Sequence, residues 1–159
     1  MKDEAVYYER QRFRQWWVIA LMAGTDILFI AGCVRQLILG MPFGNNPMSD
    51  TGLIVVSATI LASTVLFLSL TLNTVINEDG IRVWFHPVQF RKKYFSWEEI
   101  ARVYIRKYRP ITEYGGWEAY NMSGNMGLQI VLTNGKEFLI GTNNPDGLSE
   151  MLKKAGKMD

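Results

Sequence analysis

Apolar positions follow two rhythms along this chain, and the change from one to the other divides it. Residues 52–72, GLIVVSATILASTVLFLSLTL, run without a single charge. At 1.5 Å per residue, a helix of that length crosses a hydrocarbon core of about 30 Å. Residues 16–34, WWVIALMAGTDILFIAGCV, are nearly as apolar and carry one charge, Asp26. A run rich in Leu, Ile and Phe absorbs the roughly 2.5–3.5 kcal/mol that one central carboxylate costs on the insertion scale. Both segments read as membrane spans, with Trp16 and Trp17 placed as an interfacial anchor.

Beyond residue 72 the period becomes two. Ile81, Val83 and Phe85 alternate with Arg82, Trp84 and His86, and Leu128, Ile130 and Leu132 alternate with Gln129, Val131 and Thr133. Phe138 and Ile140 extend the pattern, which predicts an antiparallel sheet. Asp79-Gly80 and Asn134-Gly135 suit the positive φ values of type I′ hairpin turns. Ser96-Trp97-Glu98-Glu99 fits a capping box and predicts one helical turn. Asn144-Pro145 then starts a short amphipathic helix, with Leu148, Met151, Leu152 and Ala155 at i, i+3, i+4 and i+7. The predicted fold is an α+β membrane protein. Its parts are an N-terminal segment (1–15), a two-helix transmembrane hairpin (16–73) and a sheet domain with a C-terminal helix (74–159).

Four stretches carry a resemblance: INEDGIRV (76–83), FSWEEIARVYI (95–105), the YGGW at 114–117, and GLQIVLTNGKEFLIGTNNPDGL (127–148). Together with the preceding hairpin they resemble the bacterial pleckstrin-homology-like domains that follow a transmembrane hairpin. The resemblance implies a bent sheet or half-barrel closed at one end by the last helix, and it implies no reaction. Phosphoinositide-binding pleckstrin-homology domains carry a basic motif around the first hairpin. Here that turn is Glu78-Asp79-Gly80, acidic except for Arg82.

Charge sets the expected orientation. The connector between the spans contains Pro42, Gly44, Asn45, Asn46 and Pro47, and after Arg35 it holds no Lys or Arg. Lys2, Arg10, Arg12 and Arg14 precede the first span, and Arg82, Arg91, Lys92 and Lys93 follow the second. Positive charge marks the cytoplasmic side, so a multi-pass inner-membrane protein with both termini inside is expected. Ile30-Ala31-Gly32-Cys33 also matches a bacterial lipobox, but Asp26 lies in the apolar region where such signals carry no charge. A lone cysteine and a lone histidine, His86, exclude a disulfide framework and a cysteine-based zinc cluster. The net charge of +2 gives no footprint for nucleic acid, which is not expected as a partner.

Four sets of residues are candidates for chemistry. Arg102, Tyr104, Arg106 and Tyr108 are expected on one strand face, with Lys92 nearby. Such interleaving suits anionic lipid head groups. The loop YGGWEAYNMSGNMG (114–127) lacks the spacing of a dinucleotide or P-loop, and Gly124-Asn125-Met126-Gly127 lacks the flanking helices of a KH clamp. It reads as a strand connector, with Tyr114, Trp117 and Tyr120 as candidate anchors for a protein partner. Asp26 is expected to meet Ser63 and Thr64 of the second span. Ala20-x-x-x-Gly24 and Ala58-x-x-x-Ala62 would let the backbones approach or self-associate. Glu98 and Glu99 point about 100° apart on a helical turn and do not form an acid–base pair. No cofactor and no catalysis are expected. The reading is an interaction module that binds lipid or protein, or else a subunit assembled through Asp26.

Overall fold

The computed structural model describes residues 7–13, 15–89, 91–109, 118–122 and 124–158. The chain forms two compact units. One is the helical region; the other joins the N-terminal residues to everything from Leu70 onward.

The helical unit contains α1 (Trp16–Cys33), continued by a π-helical turn at Val34–Ile38, and α2 (Asp50–Ser69). The continuous helix Trp16–Ile38 and α2 are both long and apolar enough to cross a membrane. Only 6% and 11% of their apolar windows are buried, which separates them from the core helix of a soluble domain. Hydroxyls inside the helices are satisfied locally: Thr25, Ser57, Thr59, Ser63 and Ser69 each donate to the carbonyl four residues back. The connector is organised by Gln36. Its Nε2 donates to the Met48 carbonyl at 2.9 Å and to Asp50 Oδ1 at 2.7 Å, and its Oε1 accepts from Phe43 N at 3.3 Å. Phe43 in turn fills the space over Gly32, where an added Cβ would lie 2.8 Å from its ring.

Close approach therefore occurs at Gly32, and at Cys33, whose Sγ lies 3.2 Å from Ser57 Oγ. It does not occur at the expected small-residue motif: nothing lies within 4 Å of a Cβ placed on Gly24, and Ala58 and Ala62 are exposed. The second helix also stops at Ser69, short of the expected residue 72. Thr71 and Leu72 already belong to a strand whose both neighbours supply ladder bonds.

The other unit holds two four-stranded sheets. β1 (Tyr7–Arg12), β2 (Thr71–Ile76), β3 (Gly80–His86) and β4 (Lys93–Ser96) pair antiparallel in chain order. In the second sheet, β5 (Ile100–Lys107), β6 (Glu118–Tyr120), β7 (Met126–Leu132) and β8 (Glu137–Gly141) take the order β5-β7-β8-β6, with β6 parallel to β8. The inner faces share one core: Leu72, Ile76, Ile81, Val83 and Phe95 meet Val103, Leu128, Ile130, Phe138 and Ile140. Leu148 and Leu152 of α3 (Pro145–Lys154) complete it, with Asn144 as the N-cap accepting from Gly147 N.

Residues 7–12 are thus no separate N-terminal segment. They form an edge strand beside β2, although only Tyr7 among their inward side chains packs on the core. The other inward residues hold by polar contacts. Glu9 accepts from Thr142 Oγ1 and Asn143 N, both at 2.7 Å, and Gln11 Nε2 donates to the Gly141 carbonyl.

Local turns differ from expectation for one reason: no described non-glycine residue has a positive φ, so neither hairpin is type I′. At Leu132–Gly135 the Gly135 N–H bonds the Leu132 carbonyl and Gly135 alone is left-handed, a type I turn with a glycine bulge. At Asn77–Gly80 the Asn77 side chain closes a wider loop by accepting from Gly80 N. Gly80 is required there, because a Cβ would stand 2.1 Å from the Phe95 carbonyl oxygen. Trp97–Glu99 is a turn rather than a helical start. Ser96 Oγ accepts from Glu98 N, and Glu99 N bonds the Ser96 carbonyl.

Candidate functional site

Strand register assigns each candidate to a face. On β5, Arg102 and Tyr104 face away from the core, with the Arg102 guanidinium 5.1 Å from the Tyr104 ring centroid. Arg106 lies on the same face and donates to Gln129 Oε1 at 2.9 Å. Gln129 Nε2 reaches Glu137 Oε2 at 3.1 Å, so a carboxylate stands one amide away from that cation. Tyr108 does not continue the stripe: it follows the end of β5 and is 2% exposed. Arg102 and Tyr104 also line an open cleft of about 460 Å³ with Ser149 and Met158.

Lys92 is not part of that face. Its Nζ sits 4.5 Å from the Trp84 ring centroid, on the outside of the first sheet. The two sheets meet through their inner faces, so Lys92 and Arg102 lie on opposite outer surfaces. Tyr120, expected as an exposed anchor, stacks on Phe85 at 6.0 Å and packs against the core. Tyr114 and Trp117 lie outside the described residues.

The outer face of the first sheet is a second basic and aromatic surface. Alternation places Tyr8, Arg10 and Arg12 of β1 on the same side as Arg82, Trp84 and His86 of β3 and Tyr94 of β4. Tyr8 Oη donates to Asn73 Oδ1 at 3.0 Å, which ties β1 to β2 on this side. Arg82 lies 5.4 Å from the Tyr94 ring centroid, and Tyr94 Oη donates to the Asp79 carbonyl. Among the described residues, no carboxylate occupies a strand position of this face.

Charge is also polarised along the strands. The row Arg12–Thr71–His86 marks one end, and Glu78 and Asp79 follow the other end at Ile76. Five residue steps separate the two ends of β2, about 17 Å at the usual strand rise. The β3–β4 connection returns to the Arg12 end and brings Val88, Arg91 and Lys92, all exposed. Lys93 turns the other way, with Nζ 4.9 Å from the Phe138 ring centroid and 3.6 Å from Glu118. The alternation of β3 was readable in the sequence. The partnership of Arg10 and Arg12 with it was not, because YERQR shows no apolar period.

Asp26 lies on the less exposed face of α1, in line with Ile19, Met22, Phe29 and Gly32. Its expected bonds are not formed. Ser63 is on the exposed side of α2 and donates to the Thr59 carbonyl, while Thr64 is buried at 8% exposure. Asp26 Oδ1 is buried with no hydrogen-bond partner in the structure.

At the edge of the first sheet, Tyr7 Oη donates to Glu9 Oε2 at 2.9 Å. Burial, and then the hydrogen bond and charge of Glu9, push the Tyr7 hydroxyl well above the usual phenol range. Among the described residues no cluster of His, Cys, Asp or Glu is arranged to hold a metal ion. No family model matches the chain, and no curated protein matches it.

Proposed function

We propose that this chain is a non-enzymatic interaction module anchored in the inner membrane by two spans, with both termini and the β-domain on the cytoplasmic side. The observation that carries the reading is the pairing of β1 with β2. β1 ends at Arg12, just before α1, and β2 begins at Thr71, just after α2. Strands that share a ladder lie on one side of a bilayer, so the chain between them crosses an even number of times. Two apolar helices supply two crossings. The cations on both flanks favour the cytoplasm for the paired strands.

The β-domain is read as pleckstrin-homology-like. Two sheets around one core, with α3 packed against them, support that reading. The parallel β6 and a first strand placed ahead of the spans are features the resemblance does not imply. The role is to hold a protein or lipid partner at the membrane, with the two outer sheet faces as the contact surfaces. A second reading rests on the buried, unpartnered Asp26 Oδ1, which fits an accessory subunit assembled through its spans.

Topology tests the primary reading. In a Cys33→Ser background, Asn45→Cys should react with an impermeant thiol reagent on the outside of intact cells. Lys157→Cys should react only after permeabilisation. Labelling of both positions from the same side would sink the two-span arrangement.

A further inference from the structure

We infer that the Arg12 end of the first sheet is a docking surface for anionic phospholipid head groups of the leaflet that the domain faces. This deepens the proposed function and rests on its two-span reading. Three features at that end are independent of one another. First, Arg12, Arg91 and Lys92 are exposed there together with His86. Glu118, the carboxylate recorded near this connection, is engaged by Lys93 rather than by any of them. Second, the connection that carries the cations exposes an apolar side chain: Val88 is 57% exposed, directly after Pro87. A cationic collar around an apolar tip matches a surface of phosphate groups over acyl chains. Third, covalent reach is short. Only Leu70 stands between Ser69 of α2 and Thr71 of β2, and three residues stand between Arg12 and Trp16 of α1.

The acidic Glu78 and Asp79 occupy the opposite end of the same strands, where no span joins the chain. Charge therefore complements an anionic leaflet only at the end to which the spans are tied. A phosphate pocket at the first hairpin turn would need the reverse polarity. The Lys92–Trp84 contact holds one cation against an aromatic ring, which limits the side-chain freedom lost on docking. The face around Arg102 and Arg106 lacks both the tie to the spans and a clear field, because Glu137 is linked to Arg106 through Gln129.

The test uses the full chain with Cys33→Ser, reconstituted in lipid discs of phosphatidylcholine alone or with phosphatidylglycerol. An environment-sensitive dye is placed at Val88→Cys, and in a separate sample at Asp79→Cys. The expected result is a blue-shifted Val88 signal that appears only with the anionic lipid. It should fade as salt rises towards about 1 M, where the screening length is about 3 Å. The Asp79 signal should stay unchanged in all discs. Arg12→Gln with Lys92→Gln should lower the docked-to-undocked ratio about thirtyfold, the effect of two surface cations at roughly 1 kcal/mol each. An equal Val88 response in neutral discs, or none in either, overturns the proposal. Impermeant labelling of Asn45→Cys and Lys157→Cys in sealed vesicles separates the two readings. If the two sites share a side, the two-span arrangement fails. If they lie on opposite sides and the dye is indifferent to lipid charge, only the lipid surface fails.

Discussion

Glu9→Ala is expected to loosen the first strand without disturbing the rest of the β-domain. The Glu9 carboxylate accepts three hydrogen bonds, from Tyr7 Oη at 2.9 Å, Thr142 Oγ1 at 2.7 Å and Asn143 N at 2.7 Å. These donors do not suffer equally. Asn143 is exposed, so its N–H turns to water at little cost. Thr142 is 3% exposed and Tyr7 is half-buried, so their hydroxyls lose a partner where water replaces it poorly. A buried donor left unsatisfied costs about 1–3 kcal/mol, which puts the substitution at about 2–4 kcal/mol. Glu9→Gln keeps one acceptor oxygen but presents an amide donor to donors, and should cost about half as much. Hydrogen exchange of the intact protein in detergent reads the effect. Amides of Tyr7–Arg12 and their β2 partners should lose protection, while the β7–β8 ladder should keep it. Protection of β1 within about 0.5 kcal/mol of the parent in Glu9→Ala would refute the claim that a carboxylate latch holds this strand.

Two more outcomes follow from the same contacts. Tyr7 holds its proton in the folded state above the pH, near 10, at which an unfolded tyrosine loses it. The unfolded chain then binds fewer protons, so stability falls as pH rises from about 10; Tyr7→Phe should flatten that alkaline limb by up to about 1.4 kcal/mol per pH unit in denaturant titrations, and equal slopes would contradict it. Asp26→Ala removes a buried oxygen that has no partner, so it should leave the thermal stability of the isolated chain in detergent unchanged or slightly raised. The same substitution should release any stoichiometric membrane partner found by co-purification. A stability loss above about 1 kcal/mol would assign Asp26 to packing within the chain instead.

What could be read from the sequence depended on whether burial left a period in it. The two long apolar helices were visible because apolar content over some twenty residues is a strong signal in itself. β3, β7 and β8 were visible because one face of each is apolar, and α3 because its cap and its i, i+3, i+4 spacing agree. β1 was hidden. Its inward positions are Tyr7, Glu9 and Gln11, and the last two are held by bonds to residues 141–143, 130 or more positions away. Asp-Gly and Asn-Gly permit a positive φ at both turn positions without requiring it, so the turn type is not decided by the dipeptide. The basic surface was assigned to β5 because its alternation is local. Lys92 joined it only by proximity in sequence, whereas the fold sends residue 92 to Trp84 on the other sheet.

The two covalent ties between the helices and the β-domain are not equivalent. β2 enters from α2 with Leu72 and Ile76 in the core and ladder bonds on both sides. β1 leaves towards α1 from the sheet edge, with Tyr7 as its one core contact and polar latches elsewhere. Burying two aliphatic side chains is worth several kcal/mol, whereas the net contribution of a hydrogen bond to stability is about 1 kcal/mol. Partial opening of the domain should therefore begin at β1 while β2 and β3 stay paired. The first helix would then remain joined to the domain only through the second, and that end of the sheet would lose Arg12 while keeping the cations Arg91 and Lys92.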